Sequence, residues 1–177
     1  EVEYSIIPDR IEAGTFMLAA LMTKGDIVVK NINIGHLDIV IDKIRESGGK
    51  IQIIDKESVR VKYVSSIKAT SIETLEYPGY PTDLQAQWMA LMSVSKGKSN
   101  IIENIYKDRF THISELIRFG ADISLEGNQA FIEGVNSLTP APVMSTDIRA
   151  SASLILAALS ANGKSSISRI YHIDRGY

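Results

Sequence analysis

Three stretches of the chain are apolar or small on nearly every side when the residues are placed on a helix. They span residues 12–22, 84–94 and 150–161. A helix on the surface of a protein shows one apolar stripe and one polar face. The absence of a polar face therefore predicts three helices that are buried all round. Each stretch follows a segment that contains Asp and ends in a Gly turn, at Gly25, Gly97 and Gly163.

The segments between these helices have the patterns of strands and one-sided helices. A β-branched run after each Gly turn predicts a strand at residues 27–29, 100–102 and 166–168. Apolar positions with helical spacing predict amphipathic helices at residues 37–44 and 113–117, which Gly48 and Gly120 close. Short strand-like runs predict two hairpins, residues 50–54 with 59–63 and residues 122–125 with 130–133.

These elements recur in one order along the chain. Ala13, Ala86 and Ala150 occupy equivalent places and stand 73 and 64 residues apart. The recurrence predicts βαβαββ units at about residues 1–70, 71–140 and 141–177, with the third unit truncated. One candidate for the strand that enters the second unit is residues 66–69. The predicted class is α/β (α+β), with three helices at the centre and sheets outside them.

Composition excludes several function classes. The formal charge is −2, from 19 Lys and Arg against 21 Asp and Glu, so we expect neither nucleic acid nor a membrane as partner. The sequence has no Cys, so a disulfide framework and a thiolate metal site are excluded within it. The longest apolar stretch, residues 150–161, is shorter than the roughly 20 residues of a membrane span. We expect a cytoplasmic protein, and the ends at Glu1 and Tyr177 indicate a chain cut from a longer one.

Two Thr-Asp pairs precede buried helices and are candidate sites. Thr82-Asp83 and Thr146-Asp147 offer capping oxygens, and the free N–H groups of the helix behind each pair suit an anion. The alternative is that both pairs are only caps, which is the commoner case.

Two loops carry a Tyr shortly before an Asp-Arg pair, as Tyr-x-Asp-Arg at residues 106–109 and Tyr-x-x-Asp-Arg at residues 171–175. Equivalent loops of a repeat lie on one rim, so Arg109, Arg149 and Arg175 could converge on a small polyanion. The alternative is that these arginines pair with their sequence neighbours Asp108, Asp147 and Asp174. The three histidines, His36, His112 and His172, are too scattered for a metal site, and we predict no metal.

Several long motifs, in one order, resemble those of the UDP-N-acetylglucosamine enolpyruvyl transferases. The matching segments are Pro8-Asp9-Arg10-Ile11-Glu12-Ala13-Gly14, Pro78-Gly79-Tyr80-Pro81-Thr82-Asp83-Leu84-Gln85-Ala86-Gln87, Asp108-Arg109-Phe110-Thr111-His112, Thr146-Asp147-Ile148-Arg149-Ala150-Ser151-Ala152 and Tyr171-His172-Ile173-Asp174-Arg175-Gly176-Tyr177. The resemblance implies an inside-out α/β barrel of repeated βαβαββ units. It also implies transfer of the enolpyruvyl group of phosphoenolpyruvate to the 3-hydroxyl of UDP-N-acetylglucosamine, with no metal or organic cofactor.

The same resemblance implies roles for individual residues. Asp83 matches the candidate base that holds the sugar hydroxyl, and Asp147 matches an acidic residue beside the reacting carbon. Arg109 and Arg149 match arginines that bind the phosphoenolpyruvate carboxylate, and Arg175 matches one that faces the phosphate. The backbone of Ile105 matches a contact with the nucleotide sugar.

The remaining expected parts belong to a second domain that this sequence lacks. They are a Lys-Asn pair, a further Arg, most uridine contacts and the group that protonates the methylene carbon, so we expect the chain alone to be inactive. Two alternatives stay open. One is the sister enolpyruvyl transferase that acts on shikimate 3-phosphate, and the other is a non-catalytic βαβαββ module that binds RNA or a protein.

Overall fold

The protein is described by a computed structural model that covers residues 2–177. The helices are α1 (Arg10–Met22), α2 (Asp38–Glu46), α3 (Gln85–Met92), α4 (Ile113–Arg118) and α5 (Ile148–Ser160). The strands are β1 (Asp26–Lys30), β2 (Lys50–Ile53), β3 (Ser58–Lys62), β4 (Ile72–Glu73), β5 (Lys98–Ile102), β6 (Asp122–Glu126), β7 (Gln129–Glu133), β8 (Pro142–Met144) and β9 (Ser166–Ser168). Short 3-10 turns lie at Ile34–His36, Thr82–Leu84 and Ile170–Arg175.

The strands form three small sheets. The first sheet has the antiparallel order β1-β3-β2, with Val28 opposite Arg60. The second has the order β4-β5-β7-β6, in which β4 and β5 are parallel and the other pairs antiparallel. The third pairs β8 with β9 in parallel. The predicted hairpins β2–β3 and β6–β7 are therefore confirmed.

Three helices form the centre of the molecule, because α1, α3 and α5 all pack on one another. All eight residues of α3 are buried, including Trp88 and Met89. The amphipathic α2 lies outside this core and packs on β2, and it buries only Val40, Ile41 and Ile44. Gly48 and Gly120 lie two residues beyond the ends of α2 and α4, and their φ angles of 93° and 86° are left-handed and favour glycine. The predicted arrangement of helices inside and sheets outside is confirmed.

Two predictions about local structure are wrong in part. Residues 66–69 do not form the strand that enters the second unit, which is β4 instead. This segment makes a single parallel bridge, in which the amide of Ala69 donates to the carbonyl of Lys96 and that of Lys96 to the carbonyl of Ile67, while the amide of Lys68 donates to Ser47.

Two of the three central helices, α1 and α5, are also less buried than predicted. Phe16 of α1 is 50% exposed and Leu159 of α5 is 60% exposed, because no described element covers those faces. Over residues 2–177, no helix is both long enough and apolar enough to span a bilayer.

Candidate active site

The centre of the candidate site is an ion pair between one carboxylate and two guanidinium groups. Asp83 lies in the 3-10 turn that leads into α3, with its side chain 34% exposed. Nε of Arg149 donates to Oδ1 of Asp83 at 3.0 Å, and Nη1 of Arg109 donates to the same oxygen. The arginines come from separate elements, the loop after β5 and the first turn of α5. The fold therefore brings together three of the predicted site residues.

This arrangement keeps Asp83 ionised. Partial burial favours the neutral acid, but the hydrogen bonds and charges of Arg149 and Arg109 outweigh it and hold the pKa of Asp83 below its usual range. Burial likewise opposes the charged form of Arg149, and the hydrogen bond to Asp83 nevertheless raises the pKa of that guanidinium. Both side chains are therefore charged at neutral pH.

Arg109 is held from two sides. Its backbone N–H donates to the carbonyl of Tyr106 at 3.0 Å, which closes a turn. Its guanidinium carbon lies 5.3 Å from the centre of the Tyr106 ring, within the range of a cation–π contact. The Arg109 side chain is 25% exposed, so the aromatic ring and Asp83 fix it while one face stays open.

Asp147 caps α5, as one of the two sequence readings proposed. Its Oδ1 accepts the backbone N–H groups of Arg149 at 2.8 Å and Ala150 at 2.9 Å. Its Oδ2 lies within 3.3 Å of the Thr146 hydroxyl and 3.5 Å of the Thr111 hydroxyl. The Thr82-Asp83 pair behaves differently, because the Asp83 side chain makes no capping bond to α3 and binds the arginines instead.

His112 stands beside these groups but is buried, with 2% of its surface exposed. Burial lowers its pKa to about 4, with Asp147 acting in the opposite sense and the charge of Arg109 adding to the effect. The imidazole is therefore neutral at pH 7. Within residues 2–177, no group of three or more Asp, Glu and His side chains lies close enough to hold a metal.

The charged residues line one surface cleft of about 450 Å³. Its lining is Asp83, Tyr106, Asp108, Arg109, Thr111, Asp147, Ile148 and Arg149. Among the described side chains, three carboxylates and two guanidinium groups give this lining a formal charge of −1, which by itself does not favour an anion. Further cations are needed for a polyanion to bind here.

Two predicted residues contribute less to this picture. The side chain of Arg175 lies outside the described residues. Its backbone ends the 3-10 turn Ile170–Arg175, which packs against α5, and the following Gly176 lies against the side chain of Ile148 in the cleft wall. Ile105 is 44% exposed, and its amide donates to Glu103, so any backbone contact with a ligand must use its carbonyl oxygen.

The alternative pairing of arginines with their sequence neighbours is wrong for two of the three. Within the described part of the chain, Arg109 and Arg149 form ion pairs with Asp83 and not with Asp108 or Asp147. Asp147 is unsuited because its oxygens already face backbone N–H and hydroxyl donors. The sequence analysis did not single out Glu103, a fully buried carboxylate that directly follows β5. A charged residue after a strand is usually exposed, so its sequence position gave no sign of burial.

The profile of the EPSP synthase (3-phosphoshikimate 1-carboxyvinyltransferase) family matches residues 1–177, the whole chain. The chain belongs to the EPSP synthase family. This family member is 54% identical over 177 residues to the UDP-N-acetylglucosamine 1-carboxyvinyltransferase of Geotalea daltonii and 55% identical to that of Geobacter metallireducens. In both comparisons 99% of the chain is covered, and it spans only 42% of the length of these relatives.

Solved structures give the same fold for this EPSP synthase family member. The enolpyruvyl transferase NikO from Streptomyces tendae superposes with a TM-score of 0.90 at 22% identity, over 98% of this chain and 41% of that one. EPSP synthase from Acinetobacter baumannii superposes with a TM-score of 0.68 at 15% identity, over 93% of this chain and 39% of that one. The predicted enolpyruvyl transferase fold is thus confirmed.

Proposed function

We propose that this chain is part of an enzyme that transfers the enolpyruvyl group of phosphoenolpyruvate to the 3-hydroxyl of UDP-N-acetylglucosamine and releases phosphate, the first committed step of peptidoglycan precursor synthesis. The observation that carries the proposal is the ionised Asp83 carboxylate, held between Arg109 and Arg149 at the wall of a cleft. The high identity to relatives of that name supports the choice of substrates. A cytoplasmic location accords with these substrates.

Asp83 is the proposed base. In the ternary complex it takes the proton of the sugar hydroxyl while that oxygen bonds to C2 of phosphoenolpyruvate and C3 takes a proton from an acid on the proposed second domain. The tetrahedral intermediate then loses phosphate from C2 and a proton from C3, which restores the enol ether. Asp147, beside the same cleft, is the proposed acidic neighbour of the reacting carbon.

Arg109 and Arg149 have two roles in this scheme: they set the pKa of Asp83, and they bind the carboxylate of phosphoenolpyruvate. While they are paired with Asp83, they lower its pKa and make it a weak base. A bound carboxylate competes for the same guanidinium donors, since such groups bind carboxylates in bidentate fashion. When the arginines turn to the phosphoenolpyruvate carboxylate, Asp83 loses two hydrogen bonds and its basicity rises. Substrate binding thereby prepares the base for the sugar hydroxyl.

The chain supplies only part of the proposed site. The described lining of the cleft has a formal charge of −1, so cations from elsewhere must hold the polyanionic reactant. We propose that Arg175 is one of them and that a second domain of the same protein brings the rest. In this proposal, residues 1–177 are one incomplete domain with units at about 1–70, 71–140 and 141–177, and the chain alone does not turn over. No metal, nucleic acid or membrane is needed.

The test is phosphate release by the full-length protein with phosphoenolpyruvate and UDP-N-acetylglucosamine. Asp83→Asn should lower kcat by roughly 10²- to 10⁴-fold, the usual contribution of a general base. The matched control is Asp26→Asn, since Asp26 also binds two cations, Arg60 and Lys62, but lies on β1 away from the cleft. The control should keep wild-type turnover. Full activity in Asp83→Asn would refute its role, and a silent wild type would refute the reaction.

A second acceptor is favoured by one observation, the match of the whole chain to a family described by its 3-phosphoshikimate reaction. The same phosphate assay with shikimate 3-phosphate in place of the sugar nucleotide separates the two. Turnover with shikimate 3-phosphate alone would replace the proposed acceptor and keep the enolpyruvyl chemistry.

A further inference from the structure

One buried carboxylate, that of Glu103, is surrounded by hydrogen-bond donors. Glu103 follows β5 directly and has no exposed surface. Among the described side chains, which do not include that of Arg175, no Lys, Arg or His forms an ion pair with it. Removing a carboxylate from water is strongly unfavourable unless hydrogen bonds replace the lost hydration. The environment of Glu103 must therefore supply several donors.

Four donors surround this carboxylate, and they come from three segments. Oε1 accepts the Thr74 hydroxyl at 2.7 Å and the backbone N–H groups of Ile105 at 2.9 Å and Tyr106 at 3.0 Å. Oε2 accepts the Thr82 hydroxyl at 2.8 Å. Each oxygen is therefore used, and the side chain joins the end of β4, the turn before α3 and the loop after β5.

The direction of one of these bonds follows from its neighbours. The Thr74 hydroxyl accepts the backbone N–H of Asn104 at 3.0 Å, so its own proton is free to point at Glu103. Oε1 thus accepts three protons, two of them from backbone groups whose place in the loop is fixed. The loop after β5 is consequently wrapped around the carboxylate of Glu103.

Two of the residues that donate to Glu103 adjoin residues of the candidate site. Thr82 directly precedes Asp83 in the same 3-10 turn. Tyr106 accepts the backbone N–H of Arg109 and stacks on its guanidinium. We propose that Glu103 is a positioning residue, which fixes the Asp83 turn and the Arg109 loop relative to each other so that base and guanidinium meet over the cleft. The proposal rests on the proposed function.

The test compares Glu103→Ala with Glu103→Gln in the full-length protein. Alanine leaves the four donors without an acceptor, so both segments can shift. Because a misplacement of about 1 Å can cost about 10²-fold in rate, kcat/KM of the folded Glu103→Ala protein should fall by roughly that factor, mostly in kcat. Glutamine keeps Oε1 for its three donors, and its amide can donate to the Thr82 hydroxyl. Glu103→Gln should therefore stay within roughly 3-fold of wild type.

A loss of stability alone must not be mistaken for positioning. Val59→Ala removes buried side-chain volume from the first sheet, remote from the cleft, and serves as the matched control. At a temperature where all variants are folded by circular dichroism, Val59→Ala should melt earlier than wild type but keep its kcat and KM. Wild-type kinetics in folded Glu103→Ala would overturn the proposal, and so would a Glu103→Gln protein as slow as Glu103→Ala.

A second pair of variants decides the matter if Glu103→Ala does not fold. Thr82→Val removes only the donor beside Asp83, whereas Thr82→Ser keeps it. We expect kcat to fall about 10-fold in Thr82→Val and to recover in Thr82→Ser, by the same misplacement argument. Equal, wild-type rates for both would overturn the proposal. A wild type without phosphate release would instead mean that the proposed function fails, and the positioning role would fail with it.

Discussion

Substitutions at Asp147, the N-cap residue of α5, separate its two contributions to stability, which are the capping hydrogen bonds and the negative charge. Its Oδ1 caps the helix through the N–H groups of Arg149 and Ala150, and its negative charge stands at the positive end of the helix dipole. Asp147→Ala removes both the cap and the charge. Asp147→Asn removes only the charge, because asparagine is an equally good capping residue.

The expected magnitudes follow from these contacts. Losing a cap costs about 1 kcal/mol and losing the charge about 0.5 kcal/mol, so Asp147→Ala should lose about 1.5 kcal/mol of unfolding free energy. Each kcal/mol shifts Tm by about 2–4 °C in a chain of this size, which gives a fall of about 3–6 °C. Asp147→Asn should lose only about 1–2 °C, the part due to the charge.

The assay is thermal unfolding at pH 7, followed by far-ultraviolet circular dichroism. Asp9→Ala is the matched comparison, since Asp9 caps α1 through the N–H groups of Ile11 at 2.7 Å and Glu12 at 3.2 Å. It should lower Tm by a similar amount as Asp147→Ala. If Asp147→Asn melts as early as Asp147→Ala, the carboxylate acts by its charge and not as a cap. If neither variant changes Tm, the first turn of α5 does not need this residue.

Three further predictions concern pH and packing. Burial lowers the His112 pKa from 6.5 to about 4, so the unfolded chain binds a proton more readily between these values; wild type should lose about 2 kcal/mol between pH 7 and pH 5, and Tm of His112→Leu should fall less over that range. The Arg60 hydrogen bond is the main cause that lowers the Asp26 pKa from 3.8 to about 2. The stabilisation that comes from the lowered Asp26 pKa is present above pH 4 and lost toward pH 2. The Tm of Asp26→Asn should therefore change less than that of wild type over this pH range. A Cβ on Gly134 would overlap the Ser95 backbone carbonyl, so Gly134→Ala should lose roughly 1–3 kcal/mol in urea unfolding, and an unchanged midpoint would contradict this packing.

Local pattern was sufficient for most helices and strands of this fold. The β9 strand lies at the residues where a β-branched run predicted it, and α2 buries the stripe of Val40, Ile41 and Ile44. These features depend on the backbone period and on the side chains of one segment, so neighbours in sequence carry the signal. The segment at residues 66–69 was predicted wrongly because its N–H groups bond to two distant parts of the chain.

The ion pairs of the candidate site could be identified only from the tertiary structure. Sequence spacing offered Arg109 and Arg149 two kinds of partner, a shared ligand or the adjacent aspartates, and gave no way to choose between them. Packing of α3 against α5 brings Asp83 to Arg149, 66 residues away, and packing of α3 against β5 brings it to Arg109 in the loop that follows, 26 residues away.

Patterns along the chain were enough to predict three central helices, the amphipathic helices around them, the hairpins and the motifs that resemble one enzyme family. Packing between segments was needed to show which charges meet, that Asp147 caps its helix while Asp83 does not, and that Glu103 is buried among four donors. The physical reason is range. Periodicity acts within a few residues of one segment, whereas an ion pair or a buried carboxylate depends on where separate segments come to lie when the core is packed.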